Sequence, residues 1–276
     1  MYKDFKEFEQ AGWEQLADSY YEVTHASTSK AAEALLGMVG CEGEYSRKMK
    51  VLDIACGPGY SAGLAASRGA EAIGLDFASS MVKKAAELYP TARFKQGDAE
   101  SLPFQDHSFD AAVCAFGLLH FADPDRAIAE AFRILKPGGR YAFTVWRSSD
   151  EVETFQIFRG AIAAHGSLEA PIPPGPDMFR LGRDDEASKA LAAAGFVNIE
   201  ARRLNLIRQS SPEALLANLS KATVRTRALF EAQSEEAKPK IEADIIKRAQ
   251  ALMKKRGGSI LNLDMPAVLA AGRKPG

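Results

Sequence analysis

Cysteine is scarce in this sequence of 276 residues: Cys41, Cys56 and Cys114 stand alone, without CxxC spacing. Disulfide frameworks and cysteine zinc sites need clustered cysteines, so neither is expected and a reducing compartment fits. Long hydrophobic runs are also missing, since no stretch approaches the roughly 18–20 apolar residues that cross a membrane. The first ten residues, MYKDFKEFEQ, mix acidic and basic side chains, unlike a secretory signal. These absences predict a cytoplasmic protein without a membrane span.

The sequence also has no excess of positive or negative charge. The chain has 35 basic and 36 acidic residues, a formal net charge of −1, so its charge gives no reason to expect a nucleic-acid partner or an anionic membrane. Hydrophobic residues make up 46% of the sequence, which is ample for a real core. The length suits one large domain, or one domain with a cap.

Short apolar runs alternate with helix-forming segments through the first half of the chain. The runs predict strands at 51–54, 70–75, 91–96, 109–116 and 140–146. Between them, residues 60–67 predict the start of a helix, and further helices are predicted at 79–88 and 124–135. Ser79 or Ser80 is available to cap the second of these helices, and residues 136–139 (KPGG) end the third. This alternation is typical of a doubly wound α/β fold with a parallel sheet.

The flanking segments break this rhythm. Residues 5–40 predict helix in at least two pieces, and 40–50 a polar loop. Beyond residue 146 we expect helices at 151–165, 184–194, 212–230 and 235–256, a stiff loop at 171–176, a sixth strand at 196–207 and a last strand at 259–271. Pro266 inside the last strand indicates an edge, a bulge or a bend.

The stretch KVLDIACGPGY, residues 50–60, combines an apolar strand, a turn of small residues and the start of a helix. Small residues let a backbone approach a ligand closely, and a helix N-terminus offers free N–H groups. At the carboxyl edge of a parallel sheet, this arrangement predicts a nucleotide-binding turn.

Two carboxylates narrow the choice of nucleotide. Asp76 ends the second strand about twenty residues after the turn, where a dinucleotide site places the carboxylate that binds ribose hydroxyls. However, the third glycine of the turn, Gly63, comes one residue later than the G-x-G-x-x-G pattern requires. Asp53, directly before the turn, would repel a pyrophosphate but suits a cationic amino group and sulfonium.

Five motifs in chain order resemble those of class I S-adenosylmethionine-dependent methyltransferases, in a small-molecule subgroup similar to ubiquinone/menaquinone-biosynthesis enzymes. They are DIACGPG at 53–59, GLD at 74–76, GDAE with LPF at 97–104, FD through AFGLLH at 109–120, and KPGG at 136–139. Ala55 stands where the first motif has its first glycine. The resemblance implies a Rossmann-like, seven-stranded, mostly parallel sheet with an antiparallel last strand and a helical cap. It also implies S-adenosyl-L-methionine as the cofactor.

The resemblance implies roles for residues of the first two motifs. Asp53 would hold the methionine end of the cofactor, directly or through water. The backbone of Ala55, Gly57 and Gly59 would pass close beneath that end. Asp76 would accept the ribose hydroxyls.

Further roles follow for the adenine and sulfonium ends. Phe77 and Met81 would pack against adenine, and Asp98 would accept its amino group beside the Ala99 backbone. The remaining cofactor-binding candidates are Ala115 and Phe116, beneath the sulfonium, and Tyr20, in an ADSY sequence similar to the A-x-x-Y of the helix that closes over the cofactor.

His120, just past the fourth strand, is the best-placed general base, because a neutral imidazole accepts a proton near pH 7. With Asp123 it supplies only two ligands, too few for a metal site, so no metal is expected. The D/N-P-P-Y sequence of enzymes that methylate nucleobase or glutamine amines is missing, which argues against DNA or protein amine substrates. An NAD-type dehydrogenase and a non-catalytic S-adenosylmethionine-binding protein stay open as alternatives.

The predicted core comprises residues 41–146, 181–209 and 257–276, and the helical cap residues 1–40, 147–180 and 210–256. Insertions at the carboxyl edge of such a sheet build the substrate pocket, so the cap should choose the methyl acceptor. Its candidate wall residues predict a small, apolar or aromatic acceptor: Phe155, Phe158, Met178, Phe179 and Phe230. A homodimer is also compatible with the sequence.

Overall fold

Helices and strands alternate along the part of the chain that the computed structural model describes, residues 3–169, 172–218, 221 and 223–276, without the side chains of residues 26 and 27. The strands are Lys50–Ile54 (β1), Glu71–Asp76 (β2), Arg93–Gln96 (β3), Phe109–Ala115 (β4), Leu135–Trp146 (β5), Val197–Leu204 (β6), Ile207–Ser210 (β7), Leu261–Asp264 (β8) and Ala267–Arg273 (β9). The α-helices are Phe5–Met38 (α1), Tyr60–Ser67 (α2), Ser79–Leu88 (α3), Pro124–Ile134 (α4), Glu153–His165 (α5), Asp184–Ala193 (α6), Pro212–Ala217 (α7), Val224–Glu231 (α8) and Ala237–Lys255 (α9).

Seven strands form one sheet in the order β3-β2-β1-β4-β5-β9-β6. The first five are parallel, and the last strand of the chain, β9, lies antiparallel between β5 and β6. The predicted fold class, a mostly parallel doubly wound sheet with an antiparallel last strand, is therefore confirmed. Crossovers between neighbouring parallel strands pass through α2, α3 and α4, which is why the carboxyl ends of β1, β2 and β4 share one edge.

The central strand β1 is buried on both faces, as its continuous apolar run predicts. Leu52 and Ile54 pack into the cluster that contains α4, whereas Val51 packs into the opposite cluster with α1 and α2. All three side chains are at most 1% exposed. Burial on both faces fixes the register of β1, and with it the position of the turn that follows.

The helix α1 is continuous over 34 residues, so the prediction of at least two pieces over 5–40 was wrong. The segment contains no proline, and one side of it is buried at Phe8, Trp13, Leu16 and Leu35. In the loop after it, residues 43–48 form a short 3-10 helix. Among the described residues, no helix is both long and apolar enough to cross a membrane.

Three predictions for the second half of the chain are corrected. The sixth strand, expected at 196–207, is two strands, β6 and β7, which belong to different sheets. The last strand, expected at 259–271, is interrupted before Pro266, and its first part, β8, pairs with β7 in a two-stranded ribbon. Proline has no N–H to donate, so the break falls where the ladder would lose a bond. The helix expected at 212–230 is likewise two, α7 and α8.

Smaller differences concern segment ends. The KPGG residues 136–139 do not separate α4 from the next strand, because β5 already begins at Leu135 and contains them. The pairing of β5 with β4 shifts register at this point. Residues 172–176 of the predicted stiff loop have neither helix nor strand, and Pro171 lies outside the described residues.

Gly63, the late third glycine of the turn sequence, lies where α2 meets α3. A Cβ atom at this position would lie 2.1 Å from Cδ1 of Tyr89. We expect Gly63→Ala to lower the free energy of unfolding by about 1–3 kcal/mol, because the ring must move out of a packed interface. Urea unfolding monitored by circular dichroism measures this change.

Gly37→Ala in α1 is the matched control. Its Cβ would meet only the end of the Glu42 side chain, at 3.1 Å. The helix propensity of alanine should then stabilise this variant by up to about 1 kcal/mol. Equal effects of the two substitutions would contradict the packing role of Gly63.

Candidate active site

The turn after β1 has left-handed backbone conformations at three positions: φ is 54° at Ala55, 51° at Gly57 and 90° at Gly59. Glycine adopts this conformation freely, whereas for other residues it costs roughly 1–2 kcal/mol. Ala55, which departs from the glycine of the related motif, therefore keeps the glycine-like conformation. The substitution therefore leaves left-handed backbone at all three positions of the turn.

Asp76, at the end of β2, ties this turn to the neighbouring strand. One carboxylate oxygen accepts a hydrogen bond from the Gly57 N–H at 2.8 Å, and the other accepts one from the Ala78 N–H at 2.9 Å. Burial raises the pKa of Asp76 to about 6, although these N–H donors favour its charged form. The carboxylate thus lies at the turn, buried, with lone pairs left for a ligand.

The helix α1 covers this edge of the sheet through polar contacts along its first half. Lys6 pairs with Asp98 at 2.8 Å and Glu100 at 2.6 Å. Glu14 accepts hydrogen bonds from the backbone N–H groups of Ser79 and Ser80, at 2.5 and 2.9 Å. Neither serine caps α3, contrary to the prediction; Glu14, from another helix, satisfies the free N–H groups instead.

Most of the predicted site residues line two adjoining cavities beneath α1. The first is lined by Tyr20, Ala55, Gly57, Asp76, Phe77, Met81, Ala115, Phe116 and His120. The second is lined by Asp98 and Ala99, and again by Ala55, Asp76, Phe77 and His120. The structure thus brings together residues that are up to 100 positions apart in the sequence.

Asp53 and Gly59 do not line either cavity. Asp53 is 1% exposed; one carboxylate oxygen accepts a hydrogen bond from the Ala62 N–H at 3.0 Å, and the other has no hydrogen-bond partner. Burial raises its pKa to about 7, and the charge of Asp76 adds to the effect. Gly59 is the N-cap residue of α2. In this structure Asp53 holds the first turn of α2, and its predicted contact with a ligand stays a prediction.

Sequence reasoning missed several residues of the first cavity, among them Trp13, Tyr60 and Ser61. Tyr60 and Ser61 are the first residues of the helix after the turn, so their position could have been predicted from the helix start. The Ser61 hydroxyl is buried without a hydrogen-bond partner. A polar ligand group in the cavity would give this hydroxyl a partner.

His120 contacts a buried carboxylate that the sequence did not suggest. Its Nδ1 lies 3.0 Å from Oε2 of Glu9, which is fully buried on α1. Trp13 Nε1 donates to the same oxygen at 3.1 Å, and Arg225 Nε, from α8, donates to Oε1 at 2.8 Å. Burial alone would raise the pKa of Glu9, but His120 and Arg225 hold it below its ordinary value. Glu9 is therefore ionised and links α1, α8 and the end of β4.

Comparison with known proteins addresses what this site binds. A family model described as "Methyltransferase domain" matches residues 52–143. The demethylmenaquinone methyltransferase of Renibacterium salmoninarum is 43% identical over 91 residues, which span 33% of this chain and 38% of the relative. The corresponding enzyme of Streptomyces avermitilis is 30% identical over 164 residues, 56% of this chain and 71% of the relative. The chain belongs to the S-adenosylmethionine-dependent methyltransferases.

The fold of this methyltransferase agrees with that of a solved relative. The YcgJ protein of Bacillus subtilis has a TM-score of 0.58 at 23% identity, covering 90% of this chain and 99% of the other. S-adenosylmethionine is the cofactor. The unpaired Ser61 hydroxyl, the buried Asp76 carboxylate and the close turn backbone fit it, since the cofactor carries ribose hydroxyls and a charged amino-acid end.

The raised pKa of Asp53 predicts how the stability of the protein depends on pH. Its folded-state pKa of about 7 exceeds its ordinary value of 3.8. The folded state therefore binds the extra proton at intermediate pH, and the stability that this proton contributes is lost as the pH rises through 7. We expect Asp53→Asn, which removes the buried charge, to gain more stability relative to the unchanged protein at pH 8 than at pH 5. Chemical unfolding at both pH values measures the difference.

Asp18→Asn is the control for this pH dependence. Lys84 holds the pKa of the Asp18 carboxylate below its ordinary value, so this group is ionised at both pH values. Its substitution should shift stability equally at pH 5 and pH 8. If Asp53→Asn also changes stability equally at the two pH values, Asp53 does not have the raised pKa of a buried carboxyl group.

Proposed function

We propose that this chain transfers a methyl group from S-adenosylmethionine to a small organic acceptor with an apolar or aromatic body. The observation that carries the proposal is the convergence, beneath α1, of the turn after β1, Asp76 and the His120–Glu9 pair. When bound, the cofactor supplies an electrophilic methyl group on a sulfonium. Neither alternative, the dehydrogenase or the non-catalytic binding protein, is favoured by the comparisons.

The residues of the two cavities would divide the binding of the cofactor between them. Asp76 would hold the ribose, and Asp98 with Ala99 in the second cavity would hold the adenine. Tyr20 and Ser61 in the first cavity would face the amino-acid end. This division is supported by the position of the cavities along the edge of the sheet. The first cavity lies at the ends of β1 and β2, and the second extends to the end of β3.

Exclusion of water is the second contribution of the chain. Phe116 stacks on Trp146 with ring centroids 3.9 Å apart, and Trp13 meets His120 edge to face at 4.9 Å. Trp13, Phe116 and His120 line the first cavity, and Trp146 supports the Phe116 ring by stacking on it. An enclosed site orients the acceptor toward the methyl carbon and keeps competing water out.

Glu9 would determine which nitrogen of His120 accepts a proton. An ionised carboxylate accepts hydrogen bonds only, so the Nδ1 beside it must carry the proton of a neutral imidazole. The lone pair then lies on Nε2. His120 would act as a general base through this nitrogen, with Glu9 as the positioning residue.

A third cavity, between α5, α8 and the loop before α6, is the proposed acceptor pocket. Its walls are mostly apolar and include Phe155, Phe158, Ile162, Leu168, Ile172, Met178, Phe179 and Leu229, with Arg159, Arg225 and Thr226. Four of the five wall residues predicted from the sequence are among them. Phe230 is not; it packs in the cluster between α5, α7 and α9.

Arg225 connects the acceptor pocket with the proposed base. It lines this pocket, donates to the Leu119 carbonyl at 2.8 Å, and binds the Glu9 carboxylate that contacts His120. An acceptor whose apolar body occupies the pocket would point its reactive group along this chain of contacts.

The division into core and cap, the homodimer, the absence of a nucleic-acid partner and the cytoplasmic location stay predictions.

Turnover with His120→Asn tests the proposed chemistry. With saturating S-adenosylmethionine and a panel of small phenols, quinols, amines and thiols, formation of S-adenosylhomocysteine measures the rate. We expect His120→Asn to lower kcat by about 10²–10⁴-fold for hydroxyl acceptors, because a general base contributes that much. Glu9→Gln should lower kcat less and alter the pH profile, because it changes only the position and proton affinity of the His120 ring.

His107→Asn is the control, because His107 contacts the Leu135 carbonyl and lines neither cavity. Full activity of His120→Asn would exclude the base. Binding of the cofactor without turnover of any acceptor in the panel would favour the non-catalytic binding protein and contradict the proposal.

Substitutions of Leu229 test the acceptor pocket. Leu229→Trp should raise KM for every active acceptor, most for the largest, because the indole fills the pocket. Leu229→Ala should admit larger acceptors. S-adenosylhomocysteine affinity, measured by calorimetry, should be unchanged in both variants. If acceptor kinetics do not respond to either change, the acceptor binds elsewhere.

A further inference from the structure

Arg208, in the two-stranded ribbon, is a buried arginine without a counterion among the described residues. The residue is 9% exposed, and its Nη2 is inaccessible to solvent and has no hydrogen-bond partner. No carboxylate in the described part of the chain contributes to its electrostatic environment; burial lowers the pKa of Arg208, and Tyr20 alone opposes this effect. Arginine stays protonated under ordinary conditions, so the charge is buried unpaired.

The other well-buried arginines of the described chain differ from Arg208. The side chain of Arg225 is 12% exposed and binds Glu9, and that of Arg147 is 16% exposed and binds Glu151 and Asp184. Buried charges in proteins are generally paired in this way, because desolvation without a partner is costly. An unpaired guanidinium therefore indicates a partner that the polypeptide does not supply.

The surroundings of Arg208 show where such a partner would lie. In the ribbon it is opposite Leu263, which is fully buried against α5 and α9. The strand β7 also contacts α1, and the charge of Arg208 acts on Tyr20, which lines the first cavity. Arg208 thus lies between the ribbon and α1, on the Tyr20 side of the proposed active site.

We propose that Arg208 binds a carboxylate of a molecule held in the site beside Tyr20. The planar guanidinium offers two parallel N–H groups to a carboxylate, the geometry of the strongest charged hydrogen bonds. Two molecules could supply the group: the cofactor, through its amino-acid carboxylate, or the acceptor, through an acidic substituent. The inference rests on the proposed function, since it needs one of these molecules in the site.

Binding measurements on Arg208→Met separate the two sources. The first arm compares S-adenosylhomocysteine with methylthioadenosine, which has the adenosine but no amino-acid end. If the cofactor supplies the carboxylate, Arg208→Met weakens S-adenosylhomocysteine binding about 10- to 100-fold, as expected for a lost hydrogen bond to a charged group. Methylthioadenosine binding then stays unchanged.

The second arm probes the acceptor with benzoate and the neutral benzamide, each titrated into the complex with S-adenosylhomocysteine. If the acceptor supplies the carboxylate, the unchanged protein prefers benzoate, and Arg208→Met abolishes the preference without affecting S-adenosylhomocysteine. Unchanged S-adenosylhomocysteine affinity together with no arginine-dependent benzoate preference overturns the inference.

Thermal unfolding adds a readout that a purely structural arginine would not give. Removal of an unpaired buried charge should raise the Tm of ligand-free Arg208→Met and reduce the further rise on ligand binding. Should this variant fail to fold, Arg208→Lys decides, because it keeps the charge but loses the paired geometry and should weaken binding less. If the unchanged protein binds no S-adenosylhomocysteine, the proposed function fails; binding that ignores both Arg208 variants overturns only the role of Arg208.

Discussion

Three donors from different parts of the chain converge on the carboxylate of Glu9, which has no exposed surface: Trp13, His120 and Arg225. Loss of any one donor would leave a buried charge poorly solvated, so the carboxylate stabilises only one arrangement of the three. The same contact places α1 over the strand ends and fixes the His120 ring. Enclosure of the cavity and orientation of the proposed base therefore depend on one ion.

The site also contains buried polar groups that the polypeptide leaves incompletely paired. Asp53 has one carboxylate oxygen without a partner, and the Nη2 atom of Arg208 has no hydrogen-bond partner within the described residues. Neither arrangement favours folding of the ligand-free protein. Residues that lower stability are characteristic of binding and catalytic sites, where a ligand supplies the missing hydrogen-bond or charge partner. The paired Glu9 and the unpaired Arg208 would thus serve different steps, closure of the site and capture of a ligand.

Local patterns predicted most of the strands and helices between residues 50 and 135 well. The start of α2 and both ends of α3 were predicted, because a turn or a proline marks these ends and neighbouring side chains decide their conformation. Predictions failed where a segment distant in the sequence determines the local structure. Glu14, from another helix, caps α3, and residues 196–207 divide between two sheets. An apolar strand pattern does not specify which strand it pairs with.

The sequence by itself determined the turn after β1, the carboxylates that flank it and the family, because these depend on residue types at short spacing. Only the tertiary structure decided that Glu9 meets His120, 111 residues away, and Arg225, 216 residues away. It also decided that Arg208 is buried with no counterion in the described part of the chain, and that Asp53 lies behind the cavity. Pairing between distant charged groups is a property of packed elements, and no local pattern encodes it.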